Sequence, residues 1–189
     1  MKLLDRIKDW MGRRRLVREA AQERRPVARN LASAAKVGII FHAKDEASYQ
    51  QVRNYVKKIK EDLGIHKIMA LGFVDEKSTP HYMAPKLHFD AFCQKDLNWY
   101  RIPGGNTVNN FITEEHEVLI DLTMDDVLPV QYILAKSRAR FKVGRFGESN
   151  RHFLDMMIDM AGSQSLPQLI TQVDHYLLMI NRAHQPSLN

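Results

Sequence analysis

The sequence predicts an α/β fold: a three-layer sandwich around a mainly parallel sheet of five or six strands, Rossmann-like or flavodoxin-like in architecture. Three observations predict it. Short apolar runs bounded by polar residues alternate with segments of helical period, as in crossover-linked parallel strands. Lys36–Val74 reads as strand, helix, strand, one βαβ unit. Glu117–Gly144 repeats that pattern more sharply, with an acidic turn between its first strand and its helix.

Lys36-Val-Gly-Ile-Ile-Phe-His42 is the first buried strand. Asp45 is placed to cap a helix over Glu46–Leu63, whose inward face is Tyr49, Val52, Val56, Ile59 and Leu63; Gly64 suits its left-handed stop. Lys67–Val74 is the second strand. Asp75–Gly105 is the least regular stretch, punctuated by Pro80, Pro85 and Pro103, with a short third strand over Leu87–Cys93 and a polar–aromatic cluster, Lys95-Asp-Leu-Asn-Trp-Tyr100. A long irregular segment inside a compact domain is often functional, though aromatics covering a sheet edge explain it as well.

A short helix is expected over Thr107–Glu115, then a strand over Glu117–Thr123. Asp125 and Asp126 precede a helix carrying Pro129 in its first turn, where the missing N–H costs nothing. Strands follow at Ala139–Gly144 and Phe153–Ile158, and Ser165 caps a last helix over Leu166–Asn181. The alternation Arg140-Phe-Lys-Val-Gly144 sends Arg140 and Lys142 to one face, which suggests a strand near a sheet edge. Together with Arg138, Arg145 and Arg151 they form a second basic concentration, read as solvated edge protection rather than phosphate contacts.

The chain thus divides into a basic helical extension and tether over 1–35, one α/β domain over 36–182 and a frayed tail over 183–189. Net charge is +6 overall, but residues 1–36 hold eleven Lys and Arg against four acids, so the body is close to neutral. Lys2, Arg6, Lys8, Arg13, Arg14, Arg15, Arg18, Arg24 and Arg25 are the candidate contacts to an anionic partner: RNA, the ribosome slightly favoured, or an anionic membrane surface. Residues 2–11 also have helical period, with Leu3, Leu4, Ile7, Trp10 and Met11 within an arc of about 120°. That stripe would pack on the protein's own domain or lie in a membrane interface. No run reaches the roughly 18 apolar residues of a membrane span, and no signal-peptide core is seen. The single cysteine, Cys93, excludes an internal disulfide and fits a reducing cytoplasm, with peripheral attachment at the inner membrane as the variant.

Chemistry is sparse. A parallel sheet binds ligands at the carboxyl ends of its strands, where the strand order reverses. With the first strand beside Glu117–Thr123, that crevice is bordered by His42, Lys44, Asp45, Thr123, Asp125 and Asp126. The loop after the first strand has no glycine, so a dinucleotide cradle is not expected, and no Gly-Lys-Ser/Thr loop or Gly-x-Ser-x-Gly elbow occurs. Asp121, Asp125 and Asp126 could hold Mg²⁺, but stabilising the next helix N-terminus accounts for the acidic turn better; no metal and no cofactor are expected.

Two resemblances add to this reading. Ile120-Asp-Leu-Thr123 with Ala139–Arg145 looks locally like the amino-terminal half of heptosyltransferase-type glycosyltransferases. The second nucleotide-sugar domain those enzymes need is missing, so their activity is not carried over. Val37–Phe41, Ala70–Asp75, Lys95–Tyr100, Phe141–Arg145 and Val173–Leu177 together resemble a family of small Bacteroidota proteins known as a domain of unknown function. That resemblance implies a bacterial cytoplasmic α/β domain with a basic extension, and no catalytic residues. The expectation is a non-enzymatic binding or adaptor module; a peripheral membrane protein and a small-ligand or nucleotide-binding enzyme are the alternatives.

Overall fold

The computed structural model describes residues 12, 16, 25–84, 86–160 and 165–180. The expected helix over 2–11 and the tail over 183–189 lie outside them. The elements are β1 (Lys36–His42), α1 (Glu46–Leu63), β2 (Lys67–Val74), β3 (Phe89–Cys93), α2 (Asn106–Thr113), β4 (Val118–Asp121), α3 (Leu128–Lys136), β5 (Lys142–Arg145), β6 (Met156–Ile158) and α4 (Leu166–Met179). The six strands form one sheet in the order β3-β2-β1-β4-β5-β6. All five pairings are parallel, so the expected α/β fold is present, with a sheet more uniformly parallel than the sequence required.

Strand alternation divides the core. Val37, Ile39 and Phe41 of β1 face α1 and α4, meeting Tyr49, Val52, Ile59, Leu169, Val173 and Leu177. Ile40 faces the other way, into the layer of Phe111, Leu128, Ile133 and Leu134 from α2 and α3. Helix α1 starts as its sequence implies: Asp45 accepts from the Ser48 N–H at 2.7 Å, in a capping box. It ends at Gly64, whose φ of +66° few other residues adopt without strain.

Several expectations change. The strand expected over Ala139–Gly144 begins at Lys142 and is no edge: it lies between β4 and β6, and the edges are β3 and β6. Lys142 is 2% exposed, and its ammonium donates to the Leu134 carbonyl at the end of α3, so its charge faces protein. Arg140 is exposed before the strand and pairs with Glu115 at 3.6 Å. The strand expected over Phe153–Ile158 shortens to β6 because the chain is still turning at Arg151–Phe153. Ser165 occupies the N-cap of α4 without a side-chain bond.

The segment before β1 is docked on the body. Asn30 Nδ2 donates to the carbonyls of Leu178 and Ile180 at 2.9 and 2.8 Å, and Leu31 is fully buried. Further upstream, Leu16 is helical, 2% exposed and part of the α2–α3 core.

Candidate functional site at the carboxyl end of the sheet

Strands β1 and β4 are neighbours, with Ile40 opposite Asp121. From β1 the chain turns into α1 on one face, and from β4 into α3 on the other. The strand order therefore reverses between them, and their carboxyl ends are where the sequence predicts a crevice.

Asp121 forms its floor. The carboxyl group is 1% exposed, and burial pushes its pKa up to about 6 against the opposing hydrogen bond from Thr123. Oδ1 accepts the Thr123 N–H at 2.9 Å. Gly144 of β5 makes room for it: a Cβ there would stand 2.9 Å from Asp121 Cβ. Thr123 is 2% exposed, and its buried hydroxyl makes no well-formed hydrogen bond among the described residues.

Above the floor, the turns after β1 and β4 are tied by charge. Lys44 Nζ lies 2.5 Å from Asp125 Oδ2, and His42 Nδ1 lies 3.5 Å from the same oxygen. The second contact is too long to satisfy the buried ring nitrogen. Burial lowers the His42 pKa more than Asp125 raises it. Asp126 meets Arg145, at the end of β5, at 3.5 Å. Asp45 turns away to its capping role on α1.

Of the six expected crevice residues, His42, Lys44 and Asp125 form one charge cluster, Thr123 sits on the Asp121 floor, and Asp126 and Asp45 have other partners. Asp125 and Asp126 do not cap α3: the N-cap is Val127, without a side-chain bond, because the two carboxylates are engaged by Lys44 and Arg145. Among the described residues, no group of three or more His, Cys, Asp or Glu is arranged to hold a metal. Sequence reasoning missed Arg145 as a crevice wall, though it directly follows the glycine on which Asp121 rests. The array offers a hydroxyl, a carboxyl that titrates near neutrality, an ammonium and an imidazole, which suits hydrogen bonding to a small polar ligand.

A second feature borders this end of the sheet. The irregular segment folds into a braced loop: Leu97 bridges Pro103, and the Gly104 N–H donates to Asp96 at 3.0 Å. Asn98 Oδ1 accepts from the N–H groups of Tyr100 and Ile102 at 2.9 and 3.1 Å. Arg101, at φ +59°, reaches Asp75 at the end of β2 at 3.4 Å. The loop holds Trp99 63% exposed. Gly12 is wedged against it: a Cβ there would stand 2.6 Å from the Tyr100 carbonyl oxygen and 2.6 Å from Leu128 Cδ2. Gly12 and Leu16 thus pack beside α3 and the Trp99 loop. Of the candidate anion contacts, Arg25 is exposed, and Lys2, Arg6, Lys8, Arg13, Arg14, Arg15, Arg18 and Arg24 lie outside the described residues. So do the candidate membrane contacts Leu3, Leu4, Ile7, Trp10 and Met11. No described helix is long and apolar enough to cross a membrane.

Away from this end, Asp174 of α4 is 8% exposed and accepts from Tyr55 Oη and Lys58 Nζ of α1, both at 2.6 Å. At the opposite end, His116 lies fully buried against Gly38, and burial lowers its pKa to about 4.

The chain belongs to a family: residues 8–180 match the family model described as Family of unknown function (DUF6913). No curated protein and no solved structure matches it.

Proposed function

We propose that this chain is a binding or adaptor module, not an enzyme, that engages RNA through its basic amino-terminal segment, with ribosomal RNA as the favoured form. The carrying observation is the charge distribution: eleven Lys and Arg against four acids in residues 1–36, on a body that is nearly neutral. A polyanion bound there releases counterions, which supplies affinity without demanding a sequence. A bacterial, Bacteroidota-type cytoplasmic setting belongs to the same proposal; of these, the single cysteine, Cys93, bears only on a reducing compartment.

Ultraviolet crosslinking of the tagged chain in its native cells tests it. Recovered RNA that disappears when Arg13, Arg14 and Arg15 become Glu is the expected result. No RNA above background, with flotation of the chain on anionic vesicles, would transfer the role of the segment to a membrane surface.

A second reading is favoured by the buried Thr123 hydroxyl, which makes no well-formed hydrogen bond among the described residues, at the strand-order reversal: a small polar ligand, or a nucleotide, in the crevice. Bound ligand would raise the melting temperature by mass action. A thermal-shift screen of nucleotides, nucleotide sugars and Mg²⁺ tests it, and a flat response across the panel counts against it.

A further inference from the structure

Residues 122–127 join β4 to α3, and contacts from three directions act on them. At the start, the Thr123 N–H donates to Asp121 Oδ1 at 2.9 Å. In the middle, two adjacent carboxylates are held from opposite sides. Lys44, in the turn after β1, lies 2.5 Å from Asp125, and Arg145, ending β5, lies 3.5 Å from Asp126. Strands β1 and β5 flank β4 in the sheet, so the turn is clasped between its two neighbours. At its end comes Leu128, the first residue of α3, which is 4% exposed. A Cβ at Gly12 would stand 2.6 Å from Leu128 Cδ2, and Leu16 belongs to the same core layer as Leu128.

We propose that this turn is a coupling element: the charge clasp on Asp125 and Asp126 and the packing of Gly12 and Leu16 on α3 stabilise one another. Asp126 and Leu128 are two positions apart on one backbone, so a shift of the clasped turn moves the residue on which Gly12 rests. A close-packed core transmits such a shift, because it has few voids to absorb it. The state of the charges at the strand-order reversal thereby sets how firmly Gly12 and Leu16 are held, at the foot of the amino-terminal segment. The coupling acts in both directions, as linkage between two sites must. It depends neither on the RNA reading nor on a ligand in the crevice.

Amide hydrogen exchange, followed by NMR on the full chain, tests it. Asp125→Asn with Asp126→Asn keeps side-chain size and removes both ion pairs. The amides of Gly12 and Leu16 should then exchange about threefold faster or more, the factor that two exposed ion pairs supply, while the amides of α1 keep the parent's rates. Asp174→Asn, which alters the α1–α4 contact instead, should leave Gly12 and Leu16 unchanged. In the reverse direction, Gly12→Ala should move the titration of the His42 imidazole, which stands 3.5 Å from Asp125. Parent rates at Gly12 and Leu16 in the double variant, or an unmoved His42 titration in Gly12→Ala, would overturn the coupling, because reciprocity requires both. Equally faster exchange throughout α1 would also overturn it, since the clasp would then serve only the stability of the whole domain.

Discussion

The α-carbon of Gly12 rests against the carbonyl oxygen of Tyr100, so closely that a methyl group at Gly12 would stand 2.6 Å from it. Gly12 is thereby packed on the loop that carries Trp99, at the carboxyl end of a parallel sheet.

Replacing Gly12 with Ala should therefore destabilise the fold, although Ala is the better helix former. The helix gain is up to about 1 kcal/mol, and overpacking against a fixed carbonyl costs about 1–3 kcal/mol. A melting temperature lower by a few degrees, with weaker RNA binding, is expected from thermal denaturation and filter binding. A rise in melting temperature would mean that Gly12 is not held against Tyr100.

Two buried groups give the stability a pH dependence of opposite sign. Asp121 titrates at about 6 when folded, above the usual 3.8, so the folded state holds that proton more tightly. Its contribution, about 3 kcal/mol, is complete below pH 4 and lost as pH rises through 6. His116 titrates at about 4, below the usual 6.5, so its similar contribution is complete above pH 6.5 and lost as pH falls through 4. Between pH 4 and 6 the two oppose each other. Urea melts across this range should show Asp121→Asn gaining stability with rising pH and His116→Gln losing it. Identical pH profiles for both variants would contradict these assignments.

Gly144→Ala should disturb the crevice floor more than the sheet. Its new Cβ would meet Asp121 Cβ at 2.9 Å and Leu154 Cδ1 at 3.1 Å. A loss of about 1–3 kcal/mol by urea denaturation is expected, with a changed Asp121 titration by carbon-detected NMR. A neutral effect on both would show that the floor has slack.

The α1–α4 contact should depend on Asp174 more than on either of its partners. Asp174→Ala leaves the Tyr55 hydroxyl buried without its acceptor, at about 1–3 kcal/mol, whereas Tyr55→Phe removes one bond of two. Equal losses in the two variants would argue against a shared acceptor.

Much of the fold was legible because local signals and the sheet agreed. Asp45 and Gly64 bound α1 in the sequence and in the structure, and Lys67–Val74 is strand in both. The misread positions involve partners distant in sequence. Lys142 looks like an edge residue until Leu134 of α3 covers it. Asp125 and Asp126 look like helix caps because Lys44 lies 81 residues from Asp125, and Arg145 is brought to Asp126 only by β5 pairing with β4. The crevice residues could be named from topology, whereas the burial of Asp121 and of the Thr123 hydroxyl emerges only from packing. In the Lys95–Tyr100 cluster the aromatics were visible, but not which of them would face water.

The salt dependence of RNA binding tests the central claim most directly. For single strands the logarithm of affinity falls with the logarithm of salt concentration with a slope of about −0.7 per neutralised phosphate. Changing Arg13, Arg14 and Arg15 to Gln should make that slope shallower by about 2 while the melting temperature stays unchanged. A slope equal to the parent's would contradict the account, because the basic segment would not be where the RNA binds.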